Sequence, residues 1–298
     1  MFIGGIQILS RGMARALGRR ASSALEQLTA SPGRGILVGL GVTALLQSSS
    51  ATTVMVVSLV DADLLTLHQA VGVIFGANIG TTVTAQLVAF DLDRLALPAL
   101  LAGTALYVLA PGPRLRNWGS ISLGFGLLFA GMGMMGYSLA ALHSNPLLLG
   151  CLSGMSHHPL TAVPVGALVT ALVQSSSAVT GMIIALARQG MVGLPEAIGL
   201  VLGSNIGTTV TAVLASLGTG TNGRRAALLH VLFNVLGVGL VLPFFPVFHH
   251  LVLLSAPDLV HQVANAHTLF NVLSVVFLLP FQSLLEELAT ALVSEWDR

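Results

Sequence analysis

The sequence predicts an all-α membrane protein with two inverted-topology repeats, each containing a re-entrant helical hairpin and a broken transmembrane helix. Three observations predict this class. The 298-residue chain is 54% hydrophobic and 8% charged, a composition typical of a protein embedded in a bilayer. Two long segments are near-copies of each other, and polar residues interrupt the apolar runs of both. The arginines are distributed unevenly between the two ends of the predicted spans.

The near-copies occupy residues 36–90 and 163–217, at a constant offset of 127 residues, and 27 of 55 aligned positions are identical. VTALLQSSSATT (residues 42–53) aligns with VTALVQSSSAVT (residues 169–180), and FGANIGTTVTA (residues 75–85) aligns with LGSNIGTTVTA (residues 202–212). We therefore predict a first transmembrane repeat at residues 1–117 with core 36–90. The second repeat covers residues 118–298, with core 163–217 and C-terminal helices.

The apolar runs at residues 36–46 and 51–60 each have about half of the roughly 20 residues that a spanning helix needs. A hairpin that bends at the serines and leaves on the side where it entered fits these lengths. Residues 67–90 are long enough to span, but the N-I-G-T-T segment at residues 78–82 predicts a break. The second copy repeats both features at residues 164–187 and 196–217. Paired interrupted segments of this kind indicate a binding site near the membrane midplane.

The arginine distribution favours inverted repeats. If the first hairpin enters from the cytoplasm, Arg94 and Arg188 lie outside. Nine arginines then lie inside, as the positive-inside rule favours: Arg11, Arg15, Arg19, Arg20, Arg34, Arg114, Arg116, Arg224 and Arg225.

The interrupted segments carry chemistry for a small anion and for a hard cation. Serine hydroxyls, glutamine amides and the N–H groups at a helix break can bind an oxyanion, and hydroxyl and carbonyl oxygens can bind sodium. Residues 36–60, 67–90, 163–187 and 197–217 contain no Lys, Arg, Asp or Glu. A buried anion would therefore need co-bound cations to offset its desolvation. Missing carboxylates argue against proton coupling, although His68, His230 and His267 leave it open.

The paired Q-S-S-S motifs, each followed 31 residues later by N-I-G-T-T, resemble those of the type II sodium-phosphate cotransporter family. The resemblance extends over nearly the whole chain, including residues 224–234 and 264–272, and is to a compact bacterial member. It implies sodium-coupled secondary transport of inorganic phosphate by alternating access, in a bacterial inner (plasma) membrane, and no enzymatic activity. The implied partners are phosphate, sodium ions and the lipid bilayer, without nucleic acid; a homodimer is left open.

The resemblance also implies the residues of the site, where the two hairpin tips meet. The implied substrate-binding residues are Gln47, Ser48, Ser49, Ser50, Asn78, Thr81, Gln174, Ser175, Ser176, Ser177, Asn205 and Thr208. Threonines three residues apart share a helical face and could offer two oxygens to one sodium ion. The implied sodium ligands are Gln47, Ser48, Thr81, Thr84, Gln174, Ser175, Thr208 and Thr211.

Two other functions are compatible with parts of this pattern. One is a sodium- or proton-coupled transporter of another small oxyanion, such as a dicarboxylate or sulfate. The other is an intramembrane serine hydrolase with His230 or His267 as the base. The hydrolase is disfavoured because the chain has no G-x-S-x-G motif, and because the duplicated serines have no duplicated histidine partner.

The segments outside the two cores predict packing rather than chemistry. For His230 with Asn234, and for His267 with Asn271, we expect interhelical hydrogen bonds that fix the packing. The helix after the first core lacks the H-x-x-F-N pattern that follows the second core. This difference argues against strict symmetry of the outer helices.

Overall fold

The computed structural model describes residues 1–17, 31–90, 92–142, 145, 146, 150, 152, 154, 155 and 159–296. Arg19 and Arg20, which the topology argument uses, lie outside these residues. Within the described ranges the chain is helical, and no strand occurs there. The helices are α1 (Phe2–Leu17), α2 (Pro32–Leu46), α3 (Ser49–Asp61), α4 (Leu67–Ala89), α5 (Asp93–Leu109), α6 (Pro113–Leu142), α7 (Ala162–Val173), α8 (Ser176–Arg188), α9 (Leu194–Ser216), α10 (Thr221–Val241), α11 (Phe245–Leu254), α12 (Leu259–Leu278) and α13 (Gln282–Trp296).

Five helical stretches of the described residues are long and apolar enough to cross a membrane: Leu67–Ala89, Pro113–Ser138, Leu194–Ser216, Thr221–Leu254 and Leu259–Val293. The first and third of these, α4 and α9, are mostly buried inside the protein, whereas the last two are largely exposed on its outside. The two helices that carry the N-I-G-T-T segments therefore form the centre of the molecule. The prediction of an all-α protein is confirmed.

Two short helical pairs, α2–α3 and α7–α8, contain the Q-S-S-S motifs. With 15 and 13 residues, α2 and α3 are each only about 20 Å long at 1.5 Å per residue, less than the roughly 30 Å of a bilayer core. The chain reverses between them, because Thr43 donates a hydrogen bond to Thr52 across the turn with 2.9 Å between the two hydroxyl oxygens. The break predicted within the motif is confirmed, but it lies at Gln47 and Ser48, and the next two serines belong to α3.

Glycines bring α2 and α4 into close parallel contact. A Cβ atom on Gly76 would overlap the carbonyl oxygen of Ile36, and one on Gly80 would lie 2.7 Å from that of Leu40. Contacts that advance together along both helices show that α2 and α4 run in the same direction. Because α3 runs back from the turn, both ends of the first pair lie near the start of α4. Gly203 and Gly207 make the equivalent contacts between α9 and α7.

The expectation of a broken helix at each N-I-G-T-T segment is wrong. Both α4 and α9 are continuous α-helices of 23 residues. The polar side chains are satisfied without a break: Asn78 donates to the Ile74 carbonyl at 2.9 Å, and Thr81 donates to that of Ala77 at 3.2 Å. Such bonds to the preceding turn let polar residues sit inside a helix. Gly80 provides room for α2 and does not mark a kink.

The two central helices run in opposite directions. Asp61, shortly before the start of α4, contacts Gly220, shortly after the end of α9. Arg188, shortly before the start of α9, contacts the carbonyls at the end of α4, including that of Ala89. Each end of α4 therefore lies beside the opposite end of α9.

A second internal duplication relates the outer helices α10 and α12. Residues 230–244 and 267–281, at an offset of 37, are identical at 10 of 15 positions and share the H-x-L-F-N-V-L and L-P-F segments. Helix α10 packs against α3, α4 and α9, and α12 packs against the corresponding helices α8, α9 and α4. The symmetry counterpart of α10 is thus α12, and not the α5 helix that follows the first core. The doubt about symmetric outer helices is therefore resolved for these two.

Candidate functional site

The turns of the two helical pairs have the same backbone conformation. Gln47 and Gln174 end α2 and α7 in the left-handed region, with φ of 54° and 57°. Ser48 and Ser175 follow in extended conformation and cap the next helices, each accepting a hydrogen bond from a backbone N–H three residues later at 3.2 Å. A serine at this position satisfies one of the N–H groups that have no partner within the helix. The duplicated sequence therefore builds the same polar tip twice.

Both tips line a single cavity of about 270 Å³, which has room for several water molecules. Eight of its lining residues are the two Q-S-S-S motifs: Gln47, Ser48, Ser49, Ser50, Gln174, Ser175, Ser176 and Ser177. The remaining described lining residues are Ile3, Ile6, Gln7, Val173 and Ala178. The structure thus brings together two segments that are 127 residues apart in the sequence.

The cavity is polar but has no charged side chain among its described lining residues. The first turns of α3 and α8 both face it, and the N–H groups of a first helical turn carry a partial positive charge. Two helix N-termini and several hydroxyl donors at one cavity form a suitable environment for a small anion. The same hydroxyl and amide oxygens can bind a hard cation.

The two motif glutamines have different surroundings although their sequences match. Gln47 is only 4% exposed; its side-chain N–H donates to the Ala44 carbonyl, and its oxygen accepts from the Thr84 hydroxyl at 2.9 Å. Gln174 is exposed and lines the cavity. The first tip is therefore held against α4, whereas the glutamine of the second tip is open to the cavity.

The second threonine of each predicted sodium pair contacts a tip. Thr84 of α4 bonds to Gln47 in its own repeat. Thr211 of α9 contacts Ser50 in the other repeat, with 3.4 Å between the two hydroxyl oxygens, and also donates to the Thr208 carbonyl at 2.8 Å. These threonines stand behind the cavity lining and connect the tips to the two central helices.

The other predicted residues of the central helices do not line the cavity. The side chains of Asn78, Thr81, Asn205 and Thr208 each donate to a carbonyl one turn earlier in their own helix. The oxygen of Asn205 also accepts from Asn271 of α12 at 3.2 Å. For Asn271 the expected interhelical bond is therefore present.

The sequence argument missed the contribution of α1. Gln7 is an exposed polar residue in an otherwise apolar helical segment, and with Ile3 and Ile6 it forms part of the cavity wall. Helix α1 reaches the site because it packs on α6 and because Phe2 lies against Gly181 of α8. A lone glutamine in the apolar start of the chain was the available signal.

The described residues also explain why a metalloenzyme does not fit this site. They contain no group of three or more His, Cys, Asp or Glu side chains placed to hold a metal ion. The cavity offers neutral oxygen ligands and N–H donors instead, a set that suits transient binding of small ions.

Comparison with known families identifies the duplicated architecture. The family model described as Na+/Pi-cotransporter matches residues 1–137 and 140–275, which include both tips and both central helices. The chain belongs to the Na+/Pi-cotransporter family. The predicted family is thereby confirmed, and the chain is a member of a transporter family with phosphate-transporting relatives.

Several relatives of this family member are known by sequence. An uncharacterized protein of Bacillus subtilis, YqeW, is 33% identical over 266 residues, 89% of this chain and 86% of the relative. The Escherichia coli protein named "Putative inorganic phosphate export protein YjbB" is 28% identical over 82% of this chain. The rabbit sodium-dependent phosphate transport protein 2A is 42% identical over 92 residues, 29% of this chain and 14% of the relative.

The match to the Escherichia coli protein covers 45% of that relative, so this chain corresponds to less than half of its length. No solved structure shows a significant match to the chain.

Proposed function

We propose that this family member carries inorganic phosphate across the bacterial inner membrane together with sodium ions, by alternating access. The observation that carries the proposal is the convergence of both Q-S-S-S tips on one uncharged polar cavity. A soluble anion such as phosphate needs donors in place of its hydration water, and the tips supply hydroxyls and helix N-termini. The names of the Escherichia coli and rabbit relatives support phosphate as the substrate.

Sodium would balance the charge of the bound anion. The desolvation cost of an isolated buried ion amounts to several kcal/mol, and a neutral cavity offers no formal countercharge. Cations bound beside the phosphate would offset this cost, so anion and cation would bind more tightly together than separately. Ser48, Ser175 and the tip glutamines present oxygens at the cavity, with Thr84 and Thr211 directly behind them.

The helix directions support inverted repeats with re-entrant pairs. The two central helices run in opposite directions, and both ends of the short α2–α3 pair lie near the start of α4. In a bilayer this arrangement places the two tips near the midplane, entering from opposite sides. Movement of the pairs against the outer helices would expose the cavity to each side in turn.

The state described here supports alternation between unequal halves. Gln47 is buried against Thr84, and Gln174 is exposed at the cavity. Two nearly identical sequences thus adopt two different environments in one molecule. We propose that the opposite-facing state exchanges these environments, with Gln174 packed against α9 and Gln47 exposed.

Flux of radiolabelled phosphate into proteoliposomes tests the proposal. The purified protein is reconstituted, and an inward sodium gradient is compared with potassium and choline gradients of equal size. We expect uptake that requires sodium and that excess unlabelled phosphate abolishes while excess sulfate does not. Uptake of phosphate that ignores sodium would overturn the coupling, and sulfate or dicarboxylate competition equal to that of phosphate would overturn the substrate.

A matched pair of serine variants tests the site itself. Ser50 lines the cavity, whereas Ser58 lies on the same helix, is exposed, and donates to the carbonyl of Val54. We expect Ser50→Ala to raise the phosphate concentration for half-maximal flux about tenfold, the effect of about 1.4 kcal/mol. Ser58→Ala should leave it unchanged. Equal effects of the two substitutions would contradict the placement of the site.

A further inference from the structure

A second cavity lies at the periphery, where the ends of three helices meet. It has a volume of about 440 Å³ and is lined by Arg15, Tyr107, Val108, Pro113, Arg116, Asn117 and Ser120. None of these residues belongs to the tips or the central helices. The cavity is therefore separate from the proposed phosphate site.

Close helix packing creates this junction. Helix α6 runs antiparallel to α1, because Gly5 lies against Leu128 while Gly12 lies against Ile121. It also runs antiparallel to α5, since Gly119 of α6 lies against Tyr107 of α5. The C-terminal ends of α1 and α5 therefore meet the N-terminal end of α6, whose first turn has N–H groups without helical partners.

The charge of this cavity is positive. Arg15, in the last turn of α1, is exposed at it. Arg116 donates from Nε to the Ala110 carbonyl at 3.1 Å, which holds its guanidinium at the end of α5. Among the described lining residues there is no carboxylate, while Tyr107 and Asn117 add two neutral donors. This donor set fits a phosphate group, because arginines bind phosphate oxygens through charge-assisted hydrogen bonds.

The apolar surroundings distinguish a lipid from a free ion. Val108 and Leu109 are 63% and 78% exposed, and Leu101 and Leu97 continue an exposed apolar face along α5. This face adjoins the arginines at the helix end. A ligand that carries a phosphate at one end and hydrocarbon at the other would contact both surfaces, as a phospholipid does.

We propose that this cavity, formed by α1, α5 and α6, binds the phosphate of an anionic phospholipid, with the acyl chains along α5. Basic pockets between transmembrane helices bind such headgroups on the side where arginines accumulate. The topology argument places Arg15 and Arg116 on that cytoplasmic side. The inference depends on the membrane placement of these helices and not on the identity of the transported substrate.

Lipid binding to the purified full chain tests this proposal. Retained lipid is quantified by native mass spectrometry after exchange into detergent with phosphatidylglycerol or phosphatidylcholine. We expect a preference for phosphatidylglycerol that Arg15→Gln lowers about fivefold, the contribution of one basic residue near an anionic lipid surface. Arg114→Gln is the matched control: it removes an arginine from the same end of α6 but outside the cavity lining, and should leave the preference unchanged.

Further measurements separate the possible sources of the phosphate. Excess inorganic phosphate should not release the bound phosphatidylglycerol; if it does, and if phosphate binding is weakened by Arg15→Gln, the cavity is an inorganic phosphate site and the proposal is wrong. The unmodified protein provides a test that needs no variant, since the preference should fall as NaCl rises. Equal retention of the two lipids, or a preference that salt does not change, would overturn the proposal.

Discussion

The carboxylate of Asp61 accepts a hydrogen bond from the backbone N–H of Gly220, with 2.8 Å between Oδ1 and N. Asp61 ends α3 in the first repeat, and Gly220 precedes α10, just after the second central helix. At the equivalent position of the second repeat, Arg188 ends α8 and donates to the carbonyls of Val88 and Ala89 at the end of α4. Each short pair is therefore fastened to the far end of the other repeat's central helix. The residue types suit the helix dipoles, with an anion at a helix start and a cation at a helix end.

Substitution of Asp61 should weaken this connection. We expect Asp61→Ala to lower the free energy of unfolding by about 1 kcal/mol, because α10 loses both a capping acceptor and a favourable charge at its N-terminus. Asp61→Asn should cost less, since its amide oxygen can still accept the Gly220 N–H. Thermal unfolding in detergent measures both effects. The control is Asp63→Asn, at an exposed residue that contacts only the Asn222 side chain among the contacts described, and a loss there equal to that of Asp61→Ala would contradict the explanation.

The contact between α2 and α4 should not tolerate a side chain at Gly76. A Cβ atom there would overlap the backbone of Ile36, so Gly76→Ala must push the helices apart. We expect a loss of about 1–3 kcal/mol in the free energy of unfolding. Gly41→Ala is the matched control, because no atom lies within 4 Å of a Cβ at that position of α2. There the higher helix propensity of alanine should leave stability unchanged or raise it, and a loss as large as at Gly76 would contradict the packing argument.

The asparagines of the second duplication provide a comparison at equivalent positions. Asn234 and Asn271 are both fully buried, and each donates to a carbonyl in its own helix. Asn271 also bonds to Asn205 on α9. We expect Asn271→Ala to lower the free energy of unfolding about 1 kcal/mol more than Asn234→Ala, because it also leaves Asn205 without this partner. Equal losses measured by thermal unfolding would show that the contact does not contribute.

The sequence predicted the helical class, the duplication and the polar turns because these depend on local patterns. The 127-residue offset places both Q-S-S-S turns with the same backbone conformation. The continuity of α4 and α9 was not predictable from Gly80 and its polar neighbours, since a glycine that admits a neighbouring helix has the same sequence signal as one that marks a break. Contact between the two tips is tertiary and followed only from the family resemblance. The part of Gln7 in the cavity wall has no repeated motif to indicate it.

The two motif glutamines should respond differently to substitution, although their sequence context is nearly identical. Gln47 uses both ends of its amide in bonds to Ala44 and Thr84, whereas Gln174 is exposed at the cavity. Without substrate or sodium, we expect Gln47→Ala to lower the free energy of unfolding by about 1–3 kcal/mol, because it leaves the buried Thr84 hydroxyl without its acceptor. Gln174→Ala should change stability by less than about 0.5 kcal/mol. Flux measurements should nevertheless show weakened phosphate uptake for both variants, since both glutamines line the cavity. Equal destabilisation by the two substitutions would mean that the two tips exchange environments freely in the absence of ligand, and that the asymmetry between Gln47 and Gln174 does not hold one tip in place.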